Sequence, residues 1–270
     1  MQGITSEIVT RFDPSKGKFI LPTIDEVSSG EIVQNYYTEY YKVQKGDIVI
    51  DIGAYLGNNI IDFVKMGARC FALEPMKKNY DYILKSLRKE NIEDSVVLIN
   101  KAISDVDGAT FAEEKNTDSL PTKDYTFAEL TNTKTDFMIE GITLKTLVEE
   151  NGIDCINLLK MDCEGGEYRV FTNENYDYIK NNVRNVALEF HARCGLVSNM
   201  EKAINICKKM KSLNFDIWVH RIWCRWNSNG VILSEKLHDN ITKDFLNNSE
   251  NVADITTCMF YAKNNNFIGS

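Results

Sequence analysis

Five short, mostly apolar runs recur in the first two thirds of the chain, at residues 48–50, 69–73, 95–100, 155–161 and 183–190. Runs of this length, rich in Val, Ile and Leu, suit strands that are covered on both faces. Between them, apolar residues return at helical spacing. Residues 59–65 read as a helix that Met66 and Gly67 end, and residues 77–90 carry Tyr80, Ile83, Leu84 and Leu87 on one face. Thr143 is placed to cap a helix over 144–150, and Ala203, Ile204, Cys207 and Met210 line another over 199–213. Strand alternating with helix predicts a parallel sheet with helices on both sides. Two later runs, 215–224 and 256–262, read as final strands paired antiparallel. The expected fold is α/β and Rossmann-like, a doubly wound, mostly parallel seven-stranded sheet with an antiparallel edge strand.

One stretch breaks this rhythm. Asp105, Asp107 and Gly108 make a turn towards a short strand at 109–112, and the Thr-, Asp-, Asn- and Lys-rich remainder predicts a substrate-facing flap around 105–140. Residues 45–262 are thus expected to form one domain. Residues 1–44 form an extension in which 19–21 is extended and 31–42 helical, its Tyr36, Tyr37, Tyr40 and Tyr41 packing on the core and at the mouth of the site. Residues 225–235 resemble a hairpin-like loop, and Arg221, Trp223, Arg225 and Trp226 make either a substrate-facing side or a surface cluster. Residues 263–270 read as a frayed polar tail.

Candidate chemistry collects at the carboxyl ends of the strands, where doubly wound sheets bind ligands. The first strand runs into Asp51-Ile-Gly53-Ala54-Tyr-Leu-Gly57, and the second ends in Glu74-Pro75. A glycine turn followed, one helix later, by a carboxylate is the arrangement that holds a nucleoside, with the acid on the ribose hydroxyls. The glycine spacing departs from the G-x-G-x-x-G that makes room for a pyrophosphate. An acid at the first strand end, expected to point outward, suits the cationic end of S-adenosylmethionine better than two phosphates. The leading cofactor is therefore S-adenosylmethionine, and an NAD-dependent oxidoreductase is the alternative.

The fourth strand delivers Asp162, Cys163, Glu164, Gly165, Gly166 and Glu167 to the same end, and the fifth ends near Glu189 and His191. Glu167 is accounted for by the helix dipole. Asp162 and Glu164 are candidates for contact with cofactor or substrate. His191, as a neutral imidazole, is the preferred general base, with Asp162 next. Asp162, Glu189 and His191 offer oxygen and nitrogen ligands for a divalent ion, but their order lacks a diagnostic ligand motif and no required metal is expected.

Three stretches together, Asp51-Ile-Gly53-Ala54-Tyr-Leu-Gly57, Leu73-Glu74-Pro75 and Leu159-Lys160-Met-Asp162-Cys-Glu164-Gly165-Gly166-Glu167, occur in an order that resembles the FkbM family of S-adenosylmethionine-dependent methyltransferases. The resemblance implies a class I methyltransferase fold and O-methylation of a hydroxyl on a small metabolite or sugar. It assigns Asp51, Gly53, Ala54 and Gly57 to the donor turn and Glu74 to the ribose. Asn100, Lys101 and Ala102 would lie at the adenine edge, and Asp162 and Glu164 towards the methionyl end and acceptor.

Composition narrows the partners. With 31 basic and 39 acidic residues the net charge is −8, which argues against a nucleic-acid substrate. No long uncharged run could span a bilayer, and the first residues lack a signal-peptide pattern. The seven scattered cysteines read as reduced, and a cytoplasmic location is expected. A homo-oligomer is compatible with the sequence, as is a non-catalytic scaffold that retains donor binding.

Overall fold

The computed structural model describes residues 11–13, 18–20, 36–116, 126–130, 138–191, 199–226, 232–247 and 257–267. After a small hairpin of β1 (Arg11–Asp13) and β2 (Lys18–Ile20), the chain enters β3 (Ile48–Ile52), α1 (Asn58–Lys65), β4 (Arg69–Leu73), α2 (Lys77–Glu90) and β5 (Val96–Ile99). These three strands pair in parallel, which accounts for the apolar runs: all but the first residue of β3 and of β4 are buried. Ile60, Ile61 and Phe63 of α1 lie on one side of the sheet, in a cluster with Val49, Cys70 and Ala72. Ile50, Ile52, Phe71 and Leu73, their strand neighbours, face the opposite cluster. Period-two alternation thus divides two core layers between the two faces of one sheet.

The later elements are α3 (Leu144–Glu150), β10 (Leu158–Met161), α4 (Glu167–Val170), α5 (Asn173–Asn182), β11 (Asn185–His191), α6 (Asn199–Ser212), β12 (Phe215–Trp226), β13 (Ile232–Asn240), α7 (Thr242–Asn247) and β14 (Thr257–Asn264). The main sheet runs in the order β13-β12-β14-β11-β10-β3-β4-β5. β10 pairs in parallel with both β3 and β11, so the carboxyl ends of the three central strands open side by side. Seven strands match the expected sheet. The antiparallel β14 lies inside it, between β11 and β12, and β13 adds an eighth strand at the edge. Ile232, Leu233 and Leu237 stand among polar residues of β13 without regular alternation, and its start falls in the stretch expected as a hairpin-like loop.

Between β5 and α3 the expected flap contains strands: β6 (Ala102–Ile103), β7 (Gly108–Asn116), β8 (Thr126–Leu130) and β9 (Met138–Ile142) form a second sheet in the order β6-β9-β7-β8. Its strands mix apolar residues with polar ones, a sequence pattern that reads as loop. Thr143 caps α3 through its hydroxyl, which accepts from the Thr146 amide, as expected. Of the helix anticipated over 31–42, a single 3₁₀ turn at Tyr36–Thr38 is described, and residues 31–35 lie outside the described residues. The tail holds contacts with the body as far as Phe267, and Asn264 is buried and donates to the carbonyls of Lys180 and Val183. An asparagine amide has two donors, and here both cap backbone at the end of α5. Trp223, Arg225 and Trp226 have side chains outside the described set, as does the loop at 227–231.

Candidate active site

The first strand end is held by an ion pair that the apolar pattern concealed. Asp51 is fully enclosed, where an outward-pointing side chain was expected, and the equally buried Lys160 brings its Nζ to 2.8 Å from Asp51 Oδ1. The same ammonium donates to the Gly53 carbonyl at 2.9 Å. Burial disfavours charge on Lys160, but Asp51 and Asp162 outweigh it and its pKa lies above the usual value. Burial likewise raises the Asp51 carboxyl, against the pull of Lys160. A lysine inside an apolar strand therefore clamps the glycine turn onto the neighbouring strand.

The turn has no room for a side chain at Gly53. Gly53 sits at φ 81°, and a Cβ there would lie 1.8 Å from the Asp162 carbonyl oxygen. Backbone meets backbone at this point because the Gly53 and Ala54 amides both donate to the Leu73 carbonyl and the Asp162 amide donates to the Ile52 carbonyl. Gly57, at φ 83°, leads into α1 where a Cβ would press to 3.2 Å from Ile83. Three strand ends, those of β3, β4 and β10, are thereby locked in register around one turn.

Glu74 follows β4 and is buried. Its Oε2 accepts from the Tyr55 amide at 2.8 Å, and its Oε1 accepts from the Met76 amide at 2.9 Å and from Asn79 Nδ2 at 3.2 Å. Desolvation lifts its pKa to about 7 in spite of those donors. Asn100 donates to the carbonyls of Glu74 and Pro75, so its side chain fixes this corner. Lys101 is half-buried beside it, and Ala102 is buried in β6.

The second part of the site is a ring of carboxylates about His191. Its Nδ1 lies 2.6 Å from Glu167 Oε1, and its Nε2 lies 3.7 Å from Asp162, 3.6 Å from Glu164 and 3.6 Å from Glu189. The ligand atoms of Asp162, Glu164 and His191 all fall within 4.8 Å of one another, a set able to hold a metal ion. His191 is buried, and although desolvation opposes charge, Glu167 and the other carboxylates raise its pKa well above the ordinary value. The carboxylates around it favour the protonated ring over the neutral imidazole anticipated from the sequence, because each strand end near it contributes an acid. Cys163, between Asp162 and Glu164, is raised in pKa by burial and then by Glu167, which leaves an inert thiol.

Two participants were missed or undervalued. Glu167, assigned to the helix dipole, is wholly buried, and its Oε1 also accepts from the Cys163 amide at 3.2 Å. Tyr37 is buried, donates its hydroxyl to Asp162 Oδ2 at 2.8 Å and lies with its ring 5.0 Å from Lys160 Nζ. The tyrosine-rich composition of its segment was the available signal. Tyr40 packs elsewhere, stacked on Trp218 and bonded to His220.

Residues 51–217 match the model of the methyltransferase FkbM domain. The chain belongs to the FkbM methyltransferase family. FkbM membership makes it an S-adenosylmethionine-dependent methyltransferase, and the sheet order is that of the class I α/β fold. No curated protein matches the chain. Among solved structures it is similar to an FkbM methyltransferase from Methylobacillus flagellatus KT, at 14% identity and a TM-score of 0.44, covering 86% of this chain and 49% of that one. It is also similar to precorrin 8w decarboxylase from Methanobacterium thermoautotrophicum, at 12% identity and a TM-score of 0.44, covering 93% and 95%. A putative rRNA methylase from Clostridium thermocellum gives 12% identity and a TM-score of 0.45, covering 85% and 91%.

The donor set fits the family's cofactor. Glu74 is a buried carboxylate of the kind that accepts from ribose hydroxyls, and Asp162, Glu164 and Glu189 gather carboxylates of the kind that suit a sulfonium and an ammonium. Among the described residues no helix is long and apolar enough to cross a membrane.

Proposed function

We propose that this FkbM methyltransferase methylates a hydroxyl oxygen of a small metabolite or sugar. The observation that carries this reading is the convergence of Asp162, Glu164 and Glu189 on His191, immediately beside the glycine turn. Hydroxyl groups are weak nucleophiles and need a proton acceptor, and this end of the sheet supplies several. When bound, S-adenosylmethionine supplies an electrophilic methyl group on a positively charged sulfur. Glu74 accepts from the ribose hydroxyls, Gly53 and Ala54 shape the turn, and Gly57 lets α1 approach it; Asn100, Lys101 and Ala102 border the adenine side.

Catalytic work falls to the carboxylates. Asp162 and Glu164 are each about one third exposed, so an acceptor can reach them, while Glu167 is sealed behind His191. A carboxylate of this pair takes the proton of the acceptor hydroxyl, while bound S-adenosylmethionine would supply the methyl group and leave as its demethylated product. The test is a screen of hydroxylated metabolites and free or nucleotide-linked sugars with isotopically labelled donor. Label transferred to oxygen, lost in Glu164→Gln, supports the reading; label found only on nitrogen or carbon acceptors overturns it.

A further inference from the structure

We propose that Asp162, Glu164 and His191 form a binding site for one divalent transition-metal ion of the Mn²⁺ type, with the acceptor hydroxyl as a further ligand. Two carboxylates and one imidazole are a donor set for such ions, and with only three protein ligands it leaves coordination positions open. Around an octahedral ion with bonds of about 2.1 Å, adjacent ligand atoms lie about 3 Å apart. The Asp162 and Glu164 oxygens stand 3.7 Å and 3.6 Å from His191 Nε2. These gaps are too long for direct hydrogen bonds and need only a small contraction to share an ion. Glu189 Oε1, at 3.6 Å from the same nitrogen, borders the open side.

The second observation comes from residues outside this set. In metal sites the ligating imidazole gives its other N–H to a carboxylate, and ligating carboxylates are themselves hydrogen-bonded. Both supports are present and come from separate parts of the chain. Glu167, wholly buried at the start of α4, binds His191 Nδ1 at 2.6 Å and directs Nε2 at Asp162 and Glu164. Its Oε2 is enclosed with no hydrogen-bond donor among the described residues. Tyr37, from the segment before the sheet, binds Asp162 Oδ2 at 2.8 Å and leaves Oδ1 on the side of His191.

An ion here lowers the pKa of a coordinated hydroxyl, which frees its proton to a neighbouring carboxylate or solvent. That role rests on the hydroxyl reading above; binding of the ion does not. The experiment titrates Mn²⁺ into the full-length chain and counts free ion by electron paramagnetic resonance, without donor or acceptor. The expected result is one ion per chain, with affinity reduced about ten-fold or more in Glu164→Gln and in Asp162→Asn, and also in Tyr37→Phe, which keeps all three ligands. Circular dichroism confirms that each variant is folded, and the three substitutions on different segments guard against loss of any one. No stoichiometric uptake by the wild type, or wild-type affinity in both ligand variants, overturns the proposal. Ion uptake without S-adenosylmethionine binding would sink the donor reading and leave the metal site standing, and donor binding without ion uptake would do the reverse.

Discussion

Lys160→Met isolates the clamp on which the donor turn depends. Methionine keeps much of the length and apolar bulk of the lysine stem and removes the ammonium. What remains is Asp51, fully buried, with no donor at Oδ2 among the described residues and its Oδ1 deprived of the 2.8 Å contact. Breaking a buried pair from one side costs about 3–5 kcal/mol, because an uncompensated charge stays behind. The Gly53 carbonyl loses its donor in the same step, so donor affinity falls as well as stability. Equilibrium denaturation in urea measures the first effect and calorimetry the second. The sign of the pH dependence follows from Asp51, whose pKa burial already raises. In the variant its acid form relieves the buried charge, so the deficit is smaller in mildly acidic than in mildly alkaline buffer. Asp51→Asn combined with Lys160→Met removes both charges and restores most of the loss. A loss below about 1 kcal/mol, or a double variant no more stable than the single one, refutes the reasoning.

Gly53→Ala abolishes donor binding and destabilises the fold, since the new Cβ meets the Asp162 carbonyl oxygen at 1.8 Å in a left-handed conformation; native donor affinity by calorimetry would contradict the packing described. Glu74 titrates at about 7 in the folded chain against 4.5 ordinarily, so the folded state holds a proton that the unfolded chain has released. Its contribution is present below the lower value and lost as pH rises through the upper one, up to about 3 kcal/mol relative to Glu74→Gln, measured by denaturation across that range. In Glu167→Gln the His191 imidazolium loses its largest favourable charge, and its pKa in the metal-free protein falls; an unchanged titration by NMR would separate Glu167 from that role.

The parallel sheet was legible because β3, β4, β10 and β11 are buried on both faces and their apolar runs carry that burial directly. The same logic hid Lys160, an ionisable residue inside such a run, whose partner lies one strand away. Pairing across strands is a property of register, and one sequence does not display it. The strand expected over 109–112 is part of β7, whereas β8, β9 and β13 mix apolar residues with polar ones and resemble loops in sequence. In the candidate site, the strand-end acids were visible as residues but not as a ring. Glu167 lies where a helix dipole is sufficient explanation, and Tyr37 comes from 125 positions before its partner Asp162. The pull on the His191 pKa followed from that assembly, since Glu167, Glu189 and Glu164 all raise it and only their meeting in the fold shows this.

The central claim is that the turn from Asp51 to Gly57, together with Glu74, binds a sulfonium nucleoside. Calorimetric titration of the purified chain with S-adenosylmethionine, its demethylated product and NAD under matched conditions tests it most directly. The account predicts that both sulfur nucleosides bind at one site per chain and that NAD does not. Binding of NAD alone, or no heat with either sulfur nucleoside, would contradict it.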